Sequence, residues 1–425
     1  MTERPSLVFA DPEGKIYDWS ELEMVGRGGG GFRRLEAGDW IPLPEGSELF
    51  LLPQRFPVGY HPRKRSFATL SHNPLDDRKP VQAVAAFVAP AHTQLLLAAY
   101  RTLPGAPLLP LFAYSAVGWM KGGFVAAALR IDFDERQDFR HFNPDLIRRN
   151  ARRRMEQERK NRLVQHLGKC ALTYGCPAAR NLFLARWEAP LPTSPVCNAR
   201  CLGCISLQHR KDLKATQDRI RFVPTSEEIA DVAVPHLQQA ERAVVSFGQG
   251  CEGEPLLQGE TLEQAVKRMR RTTQRGTIHL NTNGSLPDQV ERLCGEGLDS
   301  IRVSMNSCRP EYYHSYFRPR GYSFENLVQS LKNVKRHGGF ASLNYFVHPG
   351  FTDSPEEWNA LCRFLEETQI DLIQMRNLNI DPEWYERSLG VPESNRGMGM
   401  RRLIDQLRSS YPGVRLGYFN PPVRG

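Results

Sequence analysis

From about Asn181 onward the chain alternates short apolar runs with longer stretches whose apolar residues recur three and four positions apart. Short apolar runs bounded by polar residues predict buried strands, and the three–four spacing predicts amphipathic helices. Strands are expected over 182–187, 243–247, 277–280, 300–304, 342–347 and 372–375. Between them, Phe324, Leu327, Leu331 and Val334 share one helix face, and Gly338 ends that helix. Trp358, Leu361 and Leu365 repeat the pattern. Thr225-x-x-Glu228, Thr261-x-x-Gln264 and Ser354-Pro-Glu-Glu357 read as capping boxes, the last with proline at the first helical position. Such alternation predicts parallel strands joined by right-handed crossovers. The fold class is therefore α/β, with six strand–helix units, two short of a closed eight-fold barrel.

The pattern before residue 181 is different. Apolar runs are short and punctuated by Gly and Pro up to Phe142, with strands expected at 47–53 and 84–88 and either strand or short helix over 94–100. Gly26 to Gly31 formally fits G-x-G-x-x-G, but no strand–helix context or Lys-Ser/Thr pair accompanies it, so a flexible loop is expected. Residues 143–169 read as basic and helical, with Met155, Leu163 and Leu167 as a thin apolar stripe. The chain then divides into a β-rich mixed domain (1–142), a basic helical linker (143–180), a six-unit (β/α)6 partial TIM-type barrel (181–385) and a helical tail (386–425).

Composition narrows the class. The 425 residues are 40% hydrophobic and 24% charged, ordinary for a globular protein, and no long stretch suggests disorder. No run of about 18 apolar residues and no export signal are present, so neither a membrane span nor a membrane partner is expected. Nine cysteines without an export signal point to reduced thiols and a cytoplasmic location. The formal charge of +9 favours anionic partners. Arg148, Arg149, Arg152, Arg153 and Arg154 concentrate part of that charge on one helix, as a solvated bridge or as a surface for RNA or an acidic peptide.

The candidate chemistry falls at or just after the predicted strands. Cys197, Cys201 and Cys204, spaced C-x3-C-x2-C, follow the first strand. Gly250-Cys-Glu-Gly-Glu-Pro255 follows the second, and Asn281-Thr-Asn-Gly284 the third. Ser304-Met-Asn306 ends the fourth, His348-Pro-Gly350 follows the fifth, and Arg376-Asn377 ends the sixth. In such sheets chemistry gathers at the strands' C-terminal ends. Three thiols from one loop can converge on one metal centre and leave a position open for chemistry, whereas a structural zinc site is closed by four ligands. The rival set is Cys3His zinc, with His209 as fourth ligand and a binding module as the outcome.

This pattern resembles the radical S-adenosylmethionine (radical SAM) superfamily over roughly 181–381. The cysteine spacing is that family's cluster signature. Gly253-Glu254-Pro255 resembles its Gly-Gly-Glu-Pro motif, whose backbone meets the methionine amino group, although Glu252 stands where the first glycine would be. The resemblance implies a [4Fe-4S] cluster on the three cysteines and S-adenosylmethionine as cofactor. It also implies a 5′-deoxyadenosyl radical that abstracts hydrogen, and a one-electron reductant of flavodoxin or ferredoxin type. It places Ser304 and Asn306 near the methionine carboxylate or ribose, and Gln374 and Arg376 near the adenine, with Asn283 a further cofactor-binding candidate. The aromatic residue many members carry before the third cysteine is here Gly203.

Cys251 and His348 are the candidate catalytic residues, since both fall at the rim. His279 is expected in the core. Cys170 and Cys176 read as ordinary buried thiols or, with Cys251 or Cys308, as ligands of a second cluster. No cysteine follows Asp381, so the cysteine-rich extension of many peptide-modifying members is not expected. Small-molecule, peptide and RNA substrates all remain open.

Overall fold

The computed structural model describes residues 3–392 and 395–424. Residues 6–130 build an antiparallel β structure, with twelve strands in its main sheet among the described residues. Ser6–Ala10 lies centrally, pairing with Ile16–Arg27, Gln82–Phe87 and Val117–Met120. Its run Leu7, Val8, Phe9, Ala10 is continuously apolar because both faces are covered. The expected strands at 47–53 and 84–88 are Glu48–Leu52 and Gln82–Phe87, paired with each other. The ambiguous 94–100 segment resolves into short strands, including Leu97–Ala98 and Tyr100–Thr102. The glycine run, expected as a flexible loop, is a tight hairpin turn closed by Gly28 N–H to Gly31 C=O at 3.2 Å. It packs against the barrel: a Cβ on Gly350 would lie 1.7 Å from the Gly29 nitrogen. That contact excludes a side chain at Gly350, while at Gly29, with φ +61°, a Cβ would instead lie 2.7 Å from the Asn395 carbonyl oxygen.

The basic segment is two helices rather than one, α1 (Pro144–Gln157) and α2 (Arg162–Leu172), each capped by an asparagine. Met155 of α1 packs over Gly168 of α2, which has no side chain to obstruct it. A third helix, α3 (Pro177–Phe183), takes the first two residues of the strand expected at 182–187, and a turn at 184–185 follows it. Proline at its first turn and the alanines behind it favour helix, and the first barrel strand begins at Arg186.

Seven parallel strands follow in sequence order: Arg186–Pro190, Glu241–Phe247, Thr277–Thr282, Ser300–Met305, Phe340–Val347, Leu372–Asn377 and Arg415–Gly417. Helices cross between them on the outside, forming a curled partial barrel of the TIM type. The third strand is buried at every position, as expected of a parallel strand covered on both faces. The Thr225–Glu228 capping box is made as expected, and Ser354 caps its helix over Pro355. Thr261 is inside its helix, which starts at Gly259 after a 3-10 turn.

The sixth strand would leave half an edge open. Its first half pairs with the seventh strand, too short to be visible in the apolar pattern. Its second half meets His92–Gln94 of the N-terminal region. Thr93 Oγ1 donates to the Met375 carbonyl at 2.8 Å, and Gln94 N–H donates to Asn377 Oδ1 at 2.8 Å. A buried ion pair, Arg55 Nη2 to Asp381 Oδ2 at 3.0 Å, fixes the same junction. The other Asp381 oxygen caps the helix Pro382–Leu389.

Candidate active site

A cavity of about 310 Å3 opens inside the sheet at the C-terminal ends of the strands. Cys197, Cys201 and Cys204 line it together with Gly253, Glu254, Pro255, Asn283, Ser304 and Arg376. Residues more than 170 positions apart in sequence thus meet at one rim, because parallel strands point the same way.

Backbone pairing holds the cysteine loop against the loop after the second strand. Gly253 N–H donates to Ser194 C=O at 2.7 Å, and Glu254 N–H to Val196 C=O at 2.8 Å. The two glutamates act as clamps. Glu252 accepts N–H bonds from Thr193 (2.7 Å), Ser194 (2.9 Å) and Gln249 (2.6 Å). Its carboxylate is thereby engaged with backbone, so it fits where a glycine was expected. Glu254 accepts from Thr282 Oγ1 (2.5 Å), Asn283 N–H (2.8 Å) and Leu256 N–H (3.0 Å), tying the second-strand loop to the third strand. Burial pushes both carboxyls up to about 7, while these donors pull the other way. Asn283 Nδ2 reaches Asn198 Oδ1 at 2.8 Å and secures the cysteine loop from the other side.

Burial pushes the Cys197 thiol up to about 11, with the Glu254 carboxylate adding to the shift, and pushes the Cys201 thiol well above its ordinary value, with the neighbouring thiols adding to it. Such thiols ionise only against a compensating cation, which a metal centre supplies. Arg219 Nη2 lies 3.4 Å from Cys204 Sγ, a donor to sulfur of the kind that tunes cluster potentials. Among the described residues, the three cysteines are not one of the groups whose ligand atoms lie within 4.8 Å of one another. The Cys3His set with His209 is likewise not gathered.

At Gly203 an added Cβ would lie 2.7 Å from the Tyr316 hydroxyl. Tyr316, on the helix Pro310–Phe317, occupies the space beside Gly203 and also lines the cavity. Its backbone carbonyl accepts Leu202 N–H at 3.0 Å.

The floor carries residues that motif reading missed. Arg302 and Asn344 point inward with Ser304 and Phe346, on the alternate positions of the fourth and fifth strands. Arg302 donates to Gln374 Oε1 at 2.6 Å, and burial lowers its guanidinium to about 9. Its Nε and the Asn344 Oδ1 are buried with no hydrogen-bond partner among the described residues. A charged residue inside an otherwise uncharged, largely buried strand was the available signal. Arg219 had none.

Four candidates lie off the cavity wall. Gln374 is beneath Arg302, with its amide on Asn420 Oδ1 at 3.0 Å. Asn306 donates to Tyr385 Oη at 3.2 Å, because the fourth strand ends at Met305 and the chain turns outward. His348, also one residue past its strand, turns to the N-terminal junction, where Nε2 meets Glu386 at 3.0 Å and Glu386 meets Arg27 at 2.8 Å. Cys251 is buried behind the Gly-Glu-Pro loop beside His166 and Cys170. His279 is in the core as expected, between Ser300 Oγ (2.7 Å) and Asn281 Oδ1 (3.0 Å).

A family model described as the Radical SAM superfamily matches residues 191–365. Residues 191–365 therefore resemble the radical SAM superfamily, whose enzymes use a [4Fe-4S] cluster and S-adenosylmethionine. Among curated relatives, the FeMo cofactor biosynthesis protein NifB of Klebsiella pneumoniae is 27% identical over 180 residues, 39% of this chain and 38% of that protein. A probable GTP 3′,8-cyclase of Thermococcus kodakarensis is 26% identical over 191 residues, 45% of this chain and 56% of that one. The matches therefore span only about 38–56% of these relatives' own lengths. Among solved structures, anSMEcpe with bound AdoMet has a TM-score of 0.36 at 19% identity, covering 45% of this chain and 52% of its own. Streptococcus suis SuiB bound to precursor peptide SuiA has a TM-score of 0.39 at 15% identity, covering 57% and 53%. Among the described residues no helix is long and apolar enough to cross a membrane.

Proposed function

We propose that this chain is a radical SAM enzyme in which Cys197, Cys201 and Cys204 hold the [4Fe-4S] cluster and the chamber beside them receives S-adenosylmethionine and a small anionic substrate. The observation that carries this reading is the single cavity wall shared by the three thiols, the Gly253-Glu254-Pro255 loop and the inward residues of the fourth to sixth strands. Cys197, Cys201 and Cys204 would hold the cluster, which when bound and reduced would supply the one electron needed to split S-adenosylmethionine into methionine and a hydrogen-abstracting 5′-deoxyadenosyl radical. A one-electron reductant of flavodoxin or ferredoxin type would feed it.

The chain's own residues bind, orient and exclude water. Glu252 and Glu254 hold the cysteine loop and the Gly253 backbone in fixed register, so the cofactor's amino group meets preorganised backbone. Tyr316, Phe317 and Phe346 form an aromatic side of the chamber and keep water from a reactive intermediate. Arg302 and Arg376 place two cations on the wall. These, with the partnerless Arg302 Nε, favour a substrate carrying a carboxylate or phosphate. Neither α1 with its arginines nor the N-terminal sheet contributes to the chamber wall, which supports a small molecule over RNA or a peptide.

The test is anaerobic reconstitution with iron and sulfide, followed by dithionite and S-adenosylmethionine, with mass-spectrometric detection of 5′-deoxyadenosine. Product that disappears in Cys201→Ala is expected. Zinc without iron, and no product, would overturn the reading in favour of a zinc-stabilised binding module.

A further inference from the structure

A second set of metal-ligating side chains lies behind the Gly-Glu-Pro loop and shares no residue with the cysteine loop. His166 and Cys170 stand one turn apart on α2, so both side chains project from the same face. Cys251 approaches from the turn after the second strand, immediately before Glu252. His166 Nε2 is 3.4 Å from Cys251 Sγ and 3.5 Å from Cys170 Sγ, and all three ligand atoms lie within 4.8 Å of one another.

These separations have a simple reference. Zinc binds thiolate sulfur at about 2.3 Å and imidazole nitrogen at about 2.0–2.1 Å, so a tetrahedral site has sulfur–nitrogen edges of about 3.6 Å and sulfur–sulfur edges of about 3.8 Å. The two nitrogen–sulfur separations fall close to that edge. Cys170 and Cys251 are only 3% and 7% exposed, which gives the ion a shielded site. Two sulfurs and one imidazole make the donor set zinc favours over magnesium or calcium. Cys176 is not among the gathered ligand atoms, so a water molecule would complete the tetrahedron.

We infer that His166, Cys170 and Cys251 bind one zinc ion, distinct from any cluster on the cysteine loop. Each thiol loses its proton to solvent as it ligates, and nothing is oxidised or reduced. The ion joins α2 to the turn carrying Glu252 and Gly253, so it braces the back of the cofactor loop. The ion fixes a helix to a loop that, among the described residues, no regular backbone pairing connects.

The test uses the full chain with Cys197, Cys201 and Cys204 replaced by alanine, so that only this site competes for metal. About one equivalent of zinc per chain is expected on metal analysis. Replacing zinc by Co(II) should give the thiolate-to-cobalt absorption of a tetrahedral sulfur site. Both signals should fall at least tenfold in Cys170→Ser and in Cys251→Ser. Because the triple replacement could impair folding, the unsubstituted chain is titrated with Co(II) in parallel, before any iron is added. No thiolate-to-cobalt band in that chain would overturn the inference. So would zinc retained by the Cys170→Ser, Cys251→Ser double variant, or iron and sulfide held at this site instead. A Cys170–Cys251 disulfide in anaerobically purified, metal-supplemented protein would overturn it as well.

Discussion

Replacing Gly253 by alanine tests whether two loops must touch backbone to backbone. A Cβ built on Gly253 lies 1.9 Å from the Val196 carbonyl oxygen, 2.4 Å from its carbon and 3.1 Å from the Cys197 nitrogen. Restoring ordinary contact requires the loops to part by about 1 Å, since side-chain carbons rarely approach other atoms closer than roughly 3 Å. That movement breaks the bonds from Gly253 N–H (2.7 Å) and Glu254 N–H (2.8 Å). Two such bonds contribute about 1 kcal/mol each. Overpacking adds about 1–3 kcal/mol, giving about 3–5 kcal/mol in all. The displaced atoms belong to Cys197 and its neighbour, and a 1 Å misplacement in a site costs about 100-fold in rate. Gly253→Ala should therefore lower both the thermal midpoint and the rate of 5′-deoxyadenosine formation. Gly250→Ala is the control. Its added methyl meets only Gln217 Nε2 (2.6 Å) and Ile205 Cδ1 (2.8 Å), ends of side chains that can rotate away. It should cost less than about 1.5 kcal/mol. If the two variants match in melting and in rate, the argument from loop contact is wrong.

Two further outcomes follow from the junction and the core. Arg55→Ala should cost about 3–5 kcal/mol, because it strands the buried Asp381 carboxylate; a loss below about 1 kcal/mol in denaturant titration would contradict this. His279 is held neutral, its pKa lowered to about 3 by burial, with Nε2–H donating to Asn281. The folded state thus binds fewer protons than the unfolded state between pH 6.5 and about 3, and this contribution to stability is lost as pH falls through that window. His279→Gln should remove that slope, so the stability gap between parent and variant should close by about 1.4 kcal/mol per pH unit below 6.5; parallel pH profiles would refute it.

Some of the barrel was legible in the sequence. Strands two to six were readable because a parallel strand covered on both faces must be apolar over a short run. The first strand was misplaced since Leu182-Phe-Leu-Ala is equally apolar as the last turn of α3 and the turn after it, with Pro177 at the helix start behind the N-cap Cys176. The seventh strand, Arg415–Gly417, has no apolar signature of its own, being only three residues long. Capping was readable where the box was complete, at Thr225, and misleading at Thr261, where the preceding turn runs directly into the helix.

The sequence by itself determined the cysteine loop, the Gly-Glu-Pro turn and the strand–helix alternation that carries them. Each is local: three thiols within eight residues share a loop whatever surrounds them. Tertiary structure decided which side chains face the chamber. Asn306 and His348 lie just past their strand ends and turn away, whereas Arg302 and Asn344 sit on the inward positions of theirs. Tyr316 fills the space beside Gly203, and Cys251 meets His166 and Cys170, only through folding. The reason is that direction and contact depend on where each strand ends and what packs behind it, and residue spacing along the chain records neither.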